Sequence, residues 1–191
     1  MPTGDLWYFE HFARPYAWFM PRADPAPLRR GLELARGPVE RLVDLAGGTG
    51  RAAGAVEASE RLVVDAAAGM LRRVPADIGA VRGDARTIPL EADTADAVLV
   101  VDALHHLPDP DAVFADVLRV LRPGGVLVVR EFDRGTVRGR LLAALEHLVG
   151  MQSTFFTADE LAERLEATGY EAAVVDRGFA CTVAGVKPGG P

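Results

Sequence analysis

The sequence predicts an α/β domain whose central sheet is mostly parallel and ends in an antiparallel hairpin. Short apolar segments alternate with helix-forming segments along residues 41–148, which is the pattern of βαβ units with right-handed crossovers. The most apolar segment, residues 96–102, is nearly uninterrupted, as is typical of a strand buried on both faces of a parallel sheet. The last two strands, residues 172–176 and 180–186, are joined by a connection too short for a crossover, so they form a hairpin.

Local signals mark the individual elements. Asp24 and Asp109 are each followed by proline, which predicts an N-cap with proline at the first helical position. Thr157 and Glu160 have the spacing of a capping box that opens a helix over residues 158–168. The other predicted elements are strands at residues 42–45, 61–65, 80–83 and 126–129, helices at residues 51–58, 69–73 and 141–148, and a turn at residues 122–125.

The first 20 residues carry seven aromatic side chains. A helix would place four of them on one face, because they lie three or four residues apart: Phe9, Phe12, Tyr16 and Phe19. We therefore divide the chain into an aromatic helical cap at residues 1–38, a core at residues 39–186 and a tail at residues 187–191. The cap either packs on the core, forms a homodimer contact, or closes over a ligand with the Tyr16 hydroxyl directed at it.

Composition narrows the functional classes. The net charge is −6 and the arginines are scattered, which argues against a nucleic-acid partner. The single cysteine, Cys181, excludes an internal disulfide and a multi-thiolate metal site, and we expect no metal. No run of 18 apolar residues and no signal-peptide pattern is present, which predicts a cytoplasmic protein without a membrane span.

A glycine-rich turn follows the first strand of the core. The strand ends near Asp44, and residues 46–50 are Ala-Gly-Gly-Thr-Gly. Glycines permit positive φ and remove the Cβ atoms that would block a ligand, and the helix start that follows would offer free N–H groups to an anion. Such turns also connect strands to helices without binding anything, so the residues after the turn decide between the two interpretations.

Two further acidic residues lie at the ends of the next strands. Asp65 comes 21 residues after Asp44, a distance at which an acid suits the two hydroxyls of a ribose. The alternative for Asp65 is an N-cap of the helix at residues 69–73. Asp84 could accept a hydrogen bond from an exocyclic amine, and the N–H of Ala85 could reach a ring nitrogen.

An ordered set of motifs carries a family resemblance. The motifs are residues 44–50, 64–65, 83–85, 96–98, 104–107 and 119–125. In this order they resemble the class I S-adenosylmethionine-dependent methyltransferases, in particular the small-molecule group that includes quinone methyltransferases. The resemblance covers residues 40–186. It implies a three-layer, Rossmann-like sheet of seven strands in the order 3-2-1-4-5-7-6, with the last strand antiparallel.

The resemblance also assigns a methyl donor, S-adenosylmethionine, with S-adenosylhomocysteine as product. Asp65 would hold the ribose, Met70 would contact the adenine, and Asp102 with Ala103 would approach the methionyl amino group. Ala46 departs from the family pattern, which has glycine there. The implied donor-binding residues are Asp44, Ala46, Gly47, Gly48, Asp65, Ala66, Met70, Asp84, Ala85, Asp102, Ala103 and Tyr16.

The mechanism implied is in-line displacement, in which proximity and orientation supply most of the acceleration. An acceptor that is protonated when bound also needs a base. His105 and His106 are the first candidates, because an imidazole titrates near neutral pH; the alternative is a structural pair with one ring bound to backbone. Glu131 and His147 are weaker candidates, and for Glu131 we favour the alternative of a solvated strand end.

We expect the acceptor pocket between the aromatic cap and residues 133–156, where Phe155 and Phe156 add apolar surface. This apolar surface favours a small, partly apolar or aromatic acceptor. A nicotinamide-dependent reductase is the less favoured alternative, because the only lysine is Lys187 and position 183 is not the tyrosine that the usual pair requires. A protein that binds the donor without catalysis stays open as a third interpretation.

Overall fold

A computed structural model of the chain describes residues 23–148 and 153–189. The predicted aromatic stripe, including Tyr16, lies outside the described residues, and so do the last two residues of the tail. The seven strands form one sheet in the order β3-β2-β1-β4-β5-β7-β6, which confirms the predicted topology. The strands are β1 Arg41–Leu45, β2 Glu60–Asp65, β3 Gly79–Arg82, β4 Ala95–Val101, β5 Leu121–Phe132, β6 Glu171–Asp176 and β7 Ala180–Val186.

The strand directions also agree with the prediction. The pairs formed among β1 to β5 are all parallel, whereas β7 pairs antiparallel with both β5 and β6. Within the described residues, five helices connect or flank the strands: α1 Pro25–Leu32, α2 Ala68–Leu71, α3 Pro110–Val120, α4 Val137–Leu148 and α5 Ala158–Thr168. The predicted caps are present, since the side chains of Asp24, Asp109 and Thr157 accept hydrogen bonds from the first turns that they precede.

The sheet separates two apolar layers, which makes the domain three-layered. Val43 points to the face covered by Phe114 of α3 and Leu161 of α5. Its neighbour Leu42 points to the opposite face, where Leu28 of α1 is fully buried. Alternation of this kind follows from the two-residue period of a strand, and it explains why the central strands are apolar throughout. In the described ranges, no helix is long and apolar enough to cross a membrane.

Two segments differ from the sequence prediction. The helix predicted at residues 51–58 is a single 3-10 turn, Ala53–Ala55. Gly54 disfavours a helix there, and the preceding residues are used by a turn in which Gly48 and Gly50 have positive φ. The turn predicted at residues 122–125 lies within β5 instead, where the register against β4 shifts. The two glycines there accommodate an irregularity of the ladder rather than a chain reversal.

Candidate active site

A cavity opens at the carboxyl ends of β1, β2 and β4 and beside the residues that follow β3. β1 and β4 are neighbours that lie on opposite sides of the point where the strand order reverses, which is where open α/β sheets bind ligands. Eleven of the twelve predicted donor-binding residues line this cavity: Asp44, Ala46, Gly47, Gly48, Asp65, Ala66, Met70, Asp84, Ala85, Asp102 and Ala103. The twelfth, Tyr16, lies outside the described residues.

The glycine-rich loop is held close to the first acidic side chain. A Cβ atom on Gly47 would lie 2.4–2.7 Å from the carboxylate atoms of Asp44, so only glycine fits there. Ala46 has φ of 53°, in the left-handed region that favours glycine. The alanine that departs from the family pattern therefore occupies a strained position.

Asp44 is fully buried beneath the loop. Its Oδ2 atom accepts a hydrogen bond of 2.9 Å from the backbone N–H of Ala53. The pKa of the Asp44 carboxyl is raised from 3.8 to about 7, chiefly because the side chain is buried. The hydrogen bond from Ala53 opposes this shift, and the negative charge of the neighbouring Asp65 adds to it. Among the described residues, no donor reaches the Oδ1 atom of Asp44.

Asp65 connects the end of β2 to the glycine loop. Its Oδ2 atom accepts a hydrogen bond of 2.8 Å from the N–H of Gly48, and its Oδ1 atom accepts one of 2.7 Å from the N–H of Ala67. The N-cap position of α2 is Ala67, so the alternative that made Asp65 the N-cap is wrong.

Arginines accompany the two other acids of the cavity. Arg86 forms two side-chain hydrogen bonds to Asp84, of 3.0 and 2.6 Å, and lowers the pKa of that carboxyl. Arg51 lies 3.2 Å from Asp102 and joins the glycine loop to the end of β4. Burial and the nearby Glu131 raise the pKa of Asp102, although Arg51 opposes them.

The two adjacent histidines after β4 have different surroundings. His106 lines the cavity, whereas His105 lies beneath it with only 3% of its surface exposed. The Nδ1 atom of His105 is 2.8 Å from Oε1 of Glu131, and its ring stacks on Phe155 at 4.7 Å. Burial lowers the pKa of His105, but Glu131, Glu146 and Asp102 outweigh that effect and the net shift is upward.

The expectation for Glu131 was wrong. Its side chain is fully buried rather than solvated, because β5 continues to Phe132 and carries the carboxylate beneath the histidines. Its Oε2 atom accepts a hydrogen bond from the backbone N–H of His105, and its Oε1 atom accepts one from Phe132. His147 is exposed, and its Nδ1 atom lies 2.7 Å from the carbonyl of Ala143 in its own helix.

Comparisons with known proteins agree with this geometry. Residues 43–129 match the family model described as a methyltransferase domain. A demethylmenaquinone methyltransferase of Clavibacter sepedonicus is 39% identical over 102 residues, which are 49% of this chain and 42% of the relative. A malonyl-acyl-carrier-protein O-methyltransferase of Methylococcus capsulatus is 32% identical over 167 residues, which are 78% of this chain and 60% of the relative.

A solved structure supports the same assignment at the level of the fold. An S-adenosylmethionine-dependent methyltransferase of Thermotoga maritima superimposes with a TM-score of 0.77 at 22% identity, covering 95% of this chain and 99% of that one. By sequence over residues 43–129 and by fold over nearly its whole length, the chain is similar to S-adenosylmethionine-dependent methyltransferases. The aligned part spans less than two thirds of each curated relative named above, and less than half of the first.

The walls of the cavity fit S-adenosylmethionine, the methyl donor that the comparisons imply. The Oδ1 atom of the buried Asp44, for which the described part of the chain supplies no hydrogen-bond partner, suits a cationic or hydrogen-donating group of the donor. The loop at Gly47 leaves no room for a side chain and exposes backbone to the cavity. Phe155 and Phe156, which we expected to add apolar surface to the acceptor pocket, are buried in the domain and do not line the cavity. The other wall of the predicted pocket, the aromatic cap, lies outside the described residues.

Sequence reasoning missed several residues of the methyltransferase site. Arg51 directly follows the glycine motif, and Arg86 lies two residues after Asp84, so both could have been found from their neighbours. Leu107 and Pro108 line the cavity next to His106 and continue the histidine motif. Glu146, whose Oε1 atom is 3.8 Å from Nε2 of His105, lies forty residues from the histidines, and no local signal indicates it.

Proposed function

We propose that this chain transfers the methyl group of S-adenosylmethionine to a small, partly apolar or aromatic acceptor. The observation that carries the proposal is the meeting of three acids at one cavity: Asp44, Asp65 and Asp84 lie at the ends of different strands and line the same space. Sequence order alone does not bring them together, and their convergence supports a donor with several separate polar groups.

Each polar group of the donor has a matching residue in this proposal. Asp65 accepts hydrogen bonds from the ribose hydroxyls, each charge-assisted bond contributing roughly 1.5–3 kcal/mol. Asp84 and the N–H of Ala85 hold the adenine edge. Asp44 and Asp102 lie toward the methionyl amino group, where Arg51 balances the charge of Asp102.

The acceptor side of the cavity is formed by the residues after β4. His106 offers a polar ring, while Leu107 and Pro108 offer apolar surface. The names of the relatives supply two acceptor chemistries, a demethylated quinone and a carboxyl group carried by a protein. A small aromatic or carboxylic acceptor fits this combination of one polar side chain and two apolar ones. The net charge of −6 supports a small-molecule acceptor rather than a nucleic acid.

The chemistry needs little from the protein beyond orientation. S-adenosylmethionine supplies a methyl group on a cationic sulfur, which leaves as the neutral product S-adenosylhomocysteine. The loop and the acids fix the donor, and His106 holds the functional group of the acceptor in line with it. Holding two reactants in this way can supply as much as about 7–11 kcal/mol of the barrier reduction. A cytoplasmic location and a homodimer through the cap also belong to this proposal.

The test is a two-step assay with the purified chain. Calorimetry with S-adenosylmethionine, S-adenosylhomocysteine and NAD first measures donor specificity, and we expect saturable binding of the first two alone. Isotope-labelled donor is then incubated with quinols, phenols and carboxylic acids, and we expect label transfer to at least one class. Binding of NAD alone would contradict the proposal. Donor binding with no transfer to any acceptor class would indicate a binding protein instead.

A further inference from the structure

Three metal-ligating side chains meet at the edge of the cavity. His105, His106 and Glu146 each offer one ligand atom, and these atoms all lie within 4.8 Å of one another. We propose that this group, the His–His–Glu cluster, binds a divalent transition-metal ion. The proposal differs from the sequence expectation of no metal, because Glu146 is supplied by α4 and is remote from the histidines in sequence.

The buried Glu131 has the position of an outer-sphere partner. Its Oε1 atom lies 2.8 Å from Nδ1 of His105, and its Oε2 atom is fixed by the backbone N–H of the same residue. A carboxylate beside one ring nitrogen keeps the proton on that nitrogen and leaves the other as a ligand. The other nitrogen, Nε2, faces Glu146 at 3.8 Å from its Oε1 atom.

The cluster also contains an unsatisfied group. The Oε2 atom of Glu146 is buried, and no hydrogen-bond donor within the described ranges reaches it. A buried acceptor left without a partner carries the desolvation penalty of that group in full, and the penalty is larger when the group is charged. A bound cation removes this cost, and it also balances the two carboxylates, Glu131 and Glu146, that flank a single imidazole.

The donor set indicates the kind of ion. Two imidazoles and one carboxylate suit zinc and other first-row transition metals better than magnesium or calcium, which prefer oxygen ligands. Ligand atoms about 2.0–2.2 Å from an ion lie at most about 4.4 Å apart. The 3.8 Å between Nε2 of His105 and Oε1 of Glu146 is within that limit, and the cluster as a whole would contract around a bound ion.

The location of the cluster suggests a use for the ion. Three protein ligands leave at least one coordination position open, and His106 lines the cavity on its acceptor side. An ion there would bind and polarise an oxygen of the acceptor, and would lower the pKa of an acceptor hydroxyl in place of a base. This role rests on the proposed function, whereas metal binding itself does not.

Cobalt titration tests metal binding directly. The full chain, prepared without a histidine tag and stripped with chelator, is titrated with Co²⁺ and followed by visible absorption, with Zn²⁺ added to displace the cobalt. We expect one equivalent to bind and Glu146→Gln to weaken binding at least tenfold. His147→Ala is the matched control, because this exposed histidine follows Glu146 but lies outside the cluster, and it should bind as the parent does.

The absence of saturable binding, or equal affinity in Glu146→Gln and the parent, would overturn the proposal and leave His105 as a proton-carrying group between two carboxylates. Circular dichroism of each variant shows that the fold is intact, and the conservative Glu131→Gln change should weaken binding without removing a ligand. Calorimetry with S-adenosylhomocysteine on the same samples keeps a failure of metal binding distinct from a failure of donor binding.

Discussion

The carboxylate of Asp65 accepts a hydrogen bond of 2.8 Å from the backbone N–H of Gly48, so the end of β2 holds the glycine loop in position. The same carboxylate bonds to the N–H of Ala67 at the start of α2. A single acid therefore orders the two backbone segments that line one side of the cavity. This arrangement makes Asp65 the residue whose loss should affect donor binding most directly.

We expect Asp65→Ala to weaken binding of S-adenosylhomocysteine by roughly 10- to 100-fold, which is the loss of about one charge-assisted hydrogen bond. The fold should survive, with a lower free energy of unfolding because two backbone N–H groups lose their acceptor. Calorimetry measures the first effect and urea unfolding the second. Asp77→Ala is the control, since Asp77 is an exposed partner of Arg61 outside the cavity. Unchanged affinity in Asp65→Ala would remove this residue from the donor site.

Asp44 predicts a pH dependence of stability. Burial raises its pKa from 3.8 to about 7, so the folded state binds more protons than the unfolded state between these values. The free energy of unfolding should therefore fall as pH rises through this window, by up to about 4 kcal/mol from this group, and stay level above it. Asp44→Asn cannot ionise, and we expect it to equal the parent near about pH 4 and to exceed it near about pH 8.

Urea unfolding of the parent and of Asp44→Asn across that range measures the difference between them, which cancels other titrating groups. Asp159→Asn is the control, because Arg177 lowers the pKa of the exposed Asp159, so its difference from the parent should stay constant across the window. A constant difference between the parent and Asp44→Asn at every pH would show that Asp44 is not protonated in the folded state.

Two substitutions in the glycine loop should have opposite effects, one raising stability and the other removing donor binding. Ala46 has a positive φ, and replacing it with glycine should raise the free energy of unfolding by about 1 kcal/mol. Gly47→Ala should abolish donor binding, because the new Cβ would collide with the carboxylate of Asp44. Gly37→Ala is the control for the second change, since nothing lies within 4 Å of that Cβ position.

Thermal unfolding and calorimetry with S-adenosylhomocysteine check both results. Ala162→Gly, in the middle of α5, gives the ordinary cost of a glycine in a helix and should lower stability by about 1 kcal/mol. A loss of stability in Ala46→Gly as well would mean that the loop does not strain this residue.

The sheet could be predicted from the sequence because the hydrophobic period of a segment, its length and the length of the link that follows it can all be read from neighbouring residues. Residues 97–101 are apolar throughout, and the short link before residue 180 requires a hairpin. The segment at residues 51–58 was predicted less well, because its alanines favour a helix while Gly54 and the preceding turn do not. Its final conformation depends on the buried Asp44, which accepts the N–H of Ala53, and this contact has no signature in the sequence.

The candidate site likewise contains residues that could be placed from the sequence and residues that could not. Asp65 and Asp84 could be placed at the cavity because each ends or follows a strand, and strand ends converge at one edge of a parallel sheet. Glu131 also lies near a strand end, yet β5 is longer than predicted and the side chain is buried. Glu146 reaches the histidines only through the packing of α4, which depends on tertiary contacts that no spacing reveals.

The buried pair of His105 and Glu131 predicts a strong coupling in stability. Both side chains are almost completely buried, and removing one partner leaves the other without compensation. We expect Glu131→Ala to lower the free energy of unfolding by about 3–5 kcal/mol in metal-free buffer. His105→Ala alone should also lower the free energy of unfolding. The double variant should lose much less than the sum of the two single losses, because neither buried group is then left without its partner.

A double-mutant cycle by urea unfolding in the presence of chelator measures the coupling. Glu131→Gln is the conservative comparison, because its amide oxygen can still accept from the backbone N–H groups of His105 and Phe132 while the charge is absent. We expect its loss to be smaller than that of Glu131→Ala. Strict additivity of the two alanine substitutions would show that the 2.8 Å contact contributes no stability, and that the carboxylate is buried for its backbone hydrogen bonds alone.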